Sequence, residues 1–201
     1  GVMGCASIIF AIEGYVYLET PDTNTPLVIS HRGVSNKNGV QNTVQSLEKT
    51  AQLKPDLIEM DVQETKDGQF VMMHDANLKN LTGINATPQD LTLDELTNTD
   101  IYENGYQTKI SSFDAYLERA NALNQKLLIE IKTSKKDSPQ MMDHFLEKYG
   151  ATIKKYGHQM QSLDYHVIDK VLAYDSEIPV YFILPYNSIF PRTKATGYTM
   201  E

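Results

Sequence analysis

In the apolar run LIEMDV, residues 57–62, Glu59 and Asp61 stand two positions apart. Successive strand residues point to opposite faces, so these carboxylates share one face while Ile58, Met60 and Val62 take the other. Burying two like charges side by side costs several kcal/mol unless a proton or cation offsets it, and the pattern therefore calls for a bound metal ion. The run KLLIEIK, residues 126–132, repeats the arrangement with Glu130 and Lys132 on one face. Three carboxylates with no histidine or cysteine at ligand spacing suit one hard divalent cation, Ca2+ or Mg2+, better than zinc. Lys132 is foreign to a pure cation cage, but it fits a site that also holds a phosphate. His31 follows directly on LVIS (27–30), and His74 with Asp75 closes QFVMMH (69–74), which places two proton-exchanging imidazoles at strand ends. Arg32 adds a planar donor fork for phosphate oxygens, and Gly33 lets the backbone approach closely.

Each of these residues alone has a plainer explanation. A strand-end acid more often faces solvent, and a strand-end histidine more often packs or caps. Their concurrence on several strands argues for a site. His144, His158 and His166 fall in or beside predicted helices and at a strand start, where surface or core roles are the default. Met60, Met72 and Met73 read as packing residues.

The elements that must position the site follow from periodicity. Apolar bursts alternate with amphipathic stretches, as in βαβ units. Strands are predicted at 27–30, 57–62, 69–74, 126–132, 158–163 and 180–184, with helices over 43–53, 112–124, 139–156 and 165–174. Asn42 is the predicted N-cap of the first helix. Residues 76–110 are polar and turn-rich apart from a helix at LTLDELTN, and read as an excursion at the strand ends. The 62–69 connection is too short for a helix, but seven or so extended residues span about 23 Å, enough to return outside a barrel. Six strands in this order fit an open doubly wound sheet or an incomplete eight-stranded barrel. The absence of G-x-G-x-x-G and P-loop motifs favours the barrel, whose C-terminal face would gather the strand ends.

The composition, 41% hydrophobic and 22% charged over 201 residues, is that of a globular domain and excludes a disordered chain. A formal charge of −8 argues against nucleic acid as a partner, because tracking phosphates takes clustered Lys and Arg. Cys5, the only cysteine, excludes an internal disulfide and a cysteine zinc site. Residues 1–12 are almost wholly apolar yet shorter than the ~20 residues a bilayer span requires. They read either as the tail of a longer apolar segment or as a core or interfacial helix, joined by the linker-like TPDTNTP (20–26) to a domain from 27 to 201.

HRGVSNKNGVQNT, LIEMDVQETKDGQFVMMHDANLKNLTG, DLTLDEL, LLIEIK and MQSLD together resemble the successive motifs of the glycerophosphodiester phosphodiesterases, within the phospholipase-C-like phosphodiesterase barrels. The resemblance runs from residue 27 to about 185. It implies an α/β TIM-type (β/α)8 barrel, here apparently cut off after about six strands, that hydrolyses glycerophosphodiesters to sn-glycerol 3-phosphate and an alcohol. It also implies His31 and His74 as general acid and base, Glu59, Asp61 and Glu130 as metal ligands, and Arg32 and Lys132 as phosphate contacts. Alternative substrates in the same barrel are lysophospholipids or cell-wall glycerophosphate polymers. A non-catalytic remnant that binds phosphorylated polymers is the third reading. The family's Glu-Asn-Thr is replaced by Gln41-Asn42-Thr43, which puts local charge and substrate preference in question. The N-terminal wording is similar to a bacterial subset anchored to the membrane, implying association through residues 1–26 and a place on the outer face of the cell membrane, with the cytoplasm as the alternative.

Overall fold

The structure, a computed structural model, describes residues 9–12, 15–18, 27–34, 37–184 and 197–200. Its main sheet contains β1 (Ile9–Ile12), β2 (Tyr15–Leu18), β3 (Leu27–Ser30), β4 (Leu57–Glu64), β5 (Phe70–Met72), β8 (Leu127–Ile131), β9 (Gln159–Ser162), β10 (Val180–Leu184) and β11 (Gly197–Met200). A separate two-stranded ribbon is formed by β6 (Asp100–Glu103) and β7 (Tyr106–Lys109). The helices are α1 (Val44–Ala51), α2 (Lys79–Thr82), α3 (Leu93–Thr97), α4 (Phe113–Ala122), α5 (Met141–Tyr156) and α6 (Tyr165–Tyr174). β3, β4, β8, β9, β10 and β11 pair in that order and all in parallel, the β/α alternation of a TIM-type barrel wall. Among the described residues this wall is open.

Strand β4 shows why the wall forms. Its outward residues Ile58, Met60 and Val62 join Leu127, Ile129 and Ile131 of β8 in the main core, against Phe113 and Tyr116 of α4 and Phe145 of α5. Phe70, Phe113, Phe145 and Tyr149 pack there, mostly edge to face, with centroids 4.7 to 5.9 Å apart. On the inner face, Ile29, Leu57 and Leu128 make an apolar layer. The acids lie one step further along the same strands. Helix starts follow the expected chemistry: Ser112 Oγ accepts from Ala115 N–H at α4, and Asp164 caps α6.

Four expectations are corrected. Residues 69–74 are not a barrel strand: β5 folds back antiparallel on β4 with Val62 opposite Met72, because Lys66-Asp67-Gly68 is a tight reversal with Gly68 at φ 70°. The sixth parallel strand is β11 instead. The N-cap of α1 is Thr43, whose Oγ1 accepts from Ser46 N–H, while Asn42 is left-handed at φ 55° and turned into the sheet. The excursion hides the β6–β7 hairpin, with Asn104 and Gly105 at φ 54° and 80° making the Asn-Gly turn. Finally, the apolar run 1–12, read as the tail of a longer segment or as a helix, contributes residues 9–12 as a strand that pairs antiparallel with 15–18, which pairs antiparallel with β3 in turn, in keeping with their β-branched and aromatic composition. Residues 1–8 with Cys5, and the linker 20–26, lie outside the described residues. No helix among the described residues is long and apolar enough to cross a membrane.

The excursion has its own small core of Val40, Val71, Met73, Leu78, Leu81, Leu96, Ile101 and Ile110. It is a packed cap rather than a loose loop.

Candidate active site

Sheet register assembles the acids. β4 and β8 pair with Asp61 opposite Glu130, and β8 and β9 pair with Glu130 opposite Gln161, so residues distant in sequence form one row across three strands. Glu59, Asp61 and Glu130 are all buried, and one carboxylate oxygen from each lies within 4.8 Å of the others. Asn42 clamps Asp61 twice: its Nδ2 donates to Asp61 Oδ2 at 3.0 Å, and its Oδ1 accepts Asp61 N–H at 3.0 Å. Gln161 Nε2 donates to Glu130 Oε1 at 3.2 Å. Lys132 Nζ is 2.7 Å from Glu130 Oε2 and 3.8 Å from Asp61 Oδ1. Asp61 Oδ1 is itself buried without a hydrogen bond among the described residues.

The electrostatics are those of an anion cluster short of positive charge. Burial, and then the Glu130 carboxylate, push Glu59 up to about 8. Burial, and then Glu59, push Asp61 up to about 8 as well. Buried acids whose protonated forms are favoured, with an oxygen that accepts no hydrogen bond, form the donor set of a hard divalent cation that would displace those protons.

The basic side of the site comes from the turn after β3 and from the β5 return. His31 Nε2 lies 3.7 Å from Glu59 Oε2, and burial followed by the nearby Arg32 charge lowers its pKa to about 4. Arg32 sits in left-handed backbone at φ 52°, with its N–H donating to Glu59 Oε2 at 3.1 Å and its carbonyl accepting Asn42 N–H at 2.9 Å. Its guanidinium meets His74 Nε2 at 2.9 Å. A guanidinium only donates, so Nε2 is the accepting nitrogen and Nδ1 carries the hydrogen that goes to Asp75 Oδ1 at 2.9 Å. Burial lowers the His74 pKa against the opposing pull of Asp75. An open groove of about 760 Å³ beside His74 is lined by Asp75, Ala76, Asn77, Lys79 and Asn80.

All seven residues singled out from the sequence therefore meet in one place. His74 arrives by another route than expected. It lies beyond the end of an antiparallel strand, and the hairpin carries it back to the level of Asp61, whose carbonyl accepts Met73 N–H at 3.1 Å.

Residues 31–183 match the model of the glycerophosphoryl diester phosphodiesterase family. The chain belongs to that family. It is 28% identical over 171 residues to the Homo sapiens lysophospholipase D GDPD1, covering 78% of this chain and 51% of that protein. It is 26% identical over 198 residues to a glycerophosphodiester phosphodiesterase of Bacillus altitudinis, covering 87% of this chain and 78% of the relative. Among solved structures, an Oleispira antarctica phosphodiesterase in complex with the product sn-glycerol-3-phosphate superposes with a TM-score of 0.66 at 22% identity, over 78% of this chain and 65% of that one. The chain thus spans about half the length of the human relative.

Within this family member, sequence reasoning missed the amides that hold the site. Gln63 shares the Glu59 and Asp61 face, and its Nε2 donates to the carbonyls of Met73 at 2.8 Å and Asp75 at 2.9 Å, bracketing His74. The two-residue alternation that marked the acids also marked Gln63. Asn42 and Gln161 gave no comparable signal, since only the left-handed turn and the strand order bring them in. His158, His144 and His166 stay outside the site; His158 is buried between Asn121 and Leu127 N–H.

Proposed function

We propose that the protein hydrolyses glycerophosphodiesters to sn-glycerol 3-phosphate and an alcohol, with one divalent cation and two histidines. The observation that carries this reading is the meeting of a buried three-carboxylate cluster with two imidazoles and two phosphate-seeking cations, in a chain of this family. The product complex of the Oleispira relative supports the product class.

Glu59, Asp61 and Glu130 would hold the cation, Ca2+ or Mg2+ by the hardness of its all-oxygen donors. When bound, it supplies neutralisation of non-bridging phosphate oxygens and a lowered pKa for an adjacent hydroxyl or water. Lys132 and Arg32 bind the remaining phosphate oxygens and orient the diester. Arg32 caps His74 Nε2. A phosphate that draws the guanidinium onto itself frees that lone pair to accept a proton, while Asp75 on Nδ1 holds the ring and steadies its charged form. His31 Nε2, across the site beside Glu59, is the second proton-transfer atom. One imidazole takes the nucleophile's proton, and the other, carrying a second proton once the anionic diester is bound, gives it to the leaving alkoxide. The groove beside His74 gives the leaving alcohol an exit.

The human lysophospholipase D relative favours a second reading in which the same site cleaves lysophospholipids.

Full-length protein assayed on glycerophosphocholine, glycerophosphoglycerol and lysophosphatidylcholine, with and without EDTA, separates these readings. Glycerol 3-phosphate release that EDTA abolishes is expected, and His31→Asn and His74→Asn each lower kcat by about 10²-fold or more. Choline release from the lysolipid alone would move the substrate assignment to the second reading. No turnover of any of the three, or turnover untouched by either histidine change, would refute the proposal.

A further inference from the structure

We infer that Glu103, on the β6–β7 hairpin, is a positioning residue for the phosphate-binding Arg32 and acts through Gln41. This rests on the reading of Arg32 given above. Gln41 is buried, and its two nitrogens donate to one carboxylate: the backbone N–H to Glu103 Oε2 and the side-chain Nε2 to Glu103 Oε1, each at 2.8 Å. With Nε2 committed, the amide oxygen faces the other way and accepts from Arg32 Nη1 at 3.3 Å. The opposite amide orientation would set NH2 against the guanidinium and oxygen against the carboxylate, mismatching both contacts. Glu103 thereby decides which end of Gln41 the arginine meets.

Arg32 depends on that choice. Its other side-chain contact is with His74 Nε2, and its Nε is buried with no hydrogen-bond partner among the described residues. Loss of the Gln41 contact would leave the guanidinium tethered at one corner only. The carboxylate itself is well placed to act as a fixed point, because the hairpin is locked to the loop it serves. Asn104 Nδ2 donates to Gly39 O at 3.0 Å, Lys49 Nζ lies 4.1 Å above the Tyr106 ring, and Ile101 is buried in the excursion's own core. Glu103 is 62 residues from Gln41 in sequence, so the cap and not the barrel wall sets this contact. A role confined to fastening the hairpin would make stability depend on Glu103 while leaving the arginine untouched.

The test uses full-length protein and steady-state hydrolysis of a glycerophosphodiester. Glu103→Ala is expected to lower kcat/KM by about tenfold, the scale of one lost hydrogen bond in a charged chain. In an Arg32→Ala background the same change should cost less than about twofold, since its route to the substrate is gone. Gln41→Glu, which sets two carboxylates against each other, should cost about tenfold or more, and adding Glu103→Gln should recover activity to within about threefold of wild type by inverting the donor and acceptor roles. Equal losses from Glu103→Ala in both backgrounds, or no recovery in the swapped pair, overturn the inference while leaving the proposed function intact. If Glu103→Ala does not fold, the swapped pair decides alone. An inactive wild type overturns the functional reading and this inference with it.

Discussion

Residue by residue, the site is a set of charges that do not balance by themselves. Two carboxylates whose pKa values stand at about 8 bind protons in the folded state that they would release in the unfolded chain, whose acids titrate near 4. Between those values the folded state holds more protons than the unfolded one, so without a cation stability falls as pH rises through that window. A divalent cation displaces those protons, and its contribution grows with pH. At about a hundred times its dissociation constant it adds on the order of 3 kcal/mol, or roughly 5 to 10 °C in melting temperature for a domain of this size. Melting curves with EDTA against excess Ca2+ or Mg2+ should show a larger gap at pH 8 than at pH 5, and Asp61→Asn should remove most of it. A gap that is flat in pH would break the link between the cluster and the cation. Glu59 and Asp61 were legible from their two-residue spacing alone, since strand geometry forces it. Asn42 was misread as a helix cap, because nothing local signals that its left-handed backbone turns the amide toward Asp61.

At the level of elements, the turn after β3 depends on α4. Gly33 has φ 65°, and a Cβ built on it would lie 2.6 Å from the hydroxyl of Tyr116, a buried oxygen with no hydrogen-bond partner among the described residues. Burial, with Glu59 and Asp61 nearby, pushes the Tyr116 pKa upward, which keeps the phenol neutral. Gly33→Ala therefore meets both left-handed strain and a collision, and should cost on the order of 2 to 3 kcal/mol. Tyr116→Phe removes an unsatisfied hydroxyl and should be neutral or stabilising by up to about 1 kcal/mol. Combined, the two changes should recover about half of the glycine loss, because the collision goes and the backbone strain stays. Urea unfolding of the four proteins measures this, and strict additivity would show that the hydroxyl is not the obstacle. Most helices and strands could be read from their periodicity, as Tyr165–Tyr174 and Val180–Leu184 show. The β4–β5 reversal was misplaced because a turn signal at Lys66-Asp67-Gly68 does not say whether the next strand pairs back on β4 or runs on as a barrel strand. The Asn104-Gly105 turn was visible as a dipeptide but lay in a stretch too polar to suggest strands.

For the whole molecule, the joint between α4, β8 and β9 gives stability a pH dependence separate from the site. His158 is buried there, accepting Leu127 N–H at its Nδ1 and meeting Asn121 Oδ1 with its Nε2, and burial lowers its pKa to about 4. The unfolded chain takes up a proton at this histidine near pH 6.5 and the folded one does not, so stability present above that pH is lost on acidification toward 4, on the order of 3 kcal/mol at most. His158→Gln keeps one acceptor and one donor and should flatten that part of the profile. Equal acid sensitivity in the two proteins, measured by urea unfolding at pH 7 and 4.5, would count against His158 as its source. The sequence by itself determined which residues could do chemistry and which strands bear them, because alternation along a strand is a local property of the backbone. It also determined the family, through motifs whose joint order along the chain is specific. Only the tertiary structure decided that Asp61, Glu130 and Gln161 form one row, that His74 reaches the site by a hairpin return, and that Glu103 of the cap fixes the amide facing Arg32. Register, strand order and hairpin direction are relations between distant segments, and no local pattern of side chains encodes them.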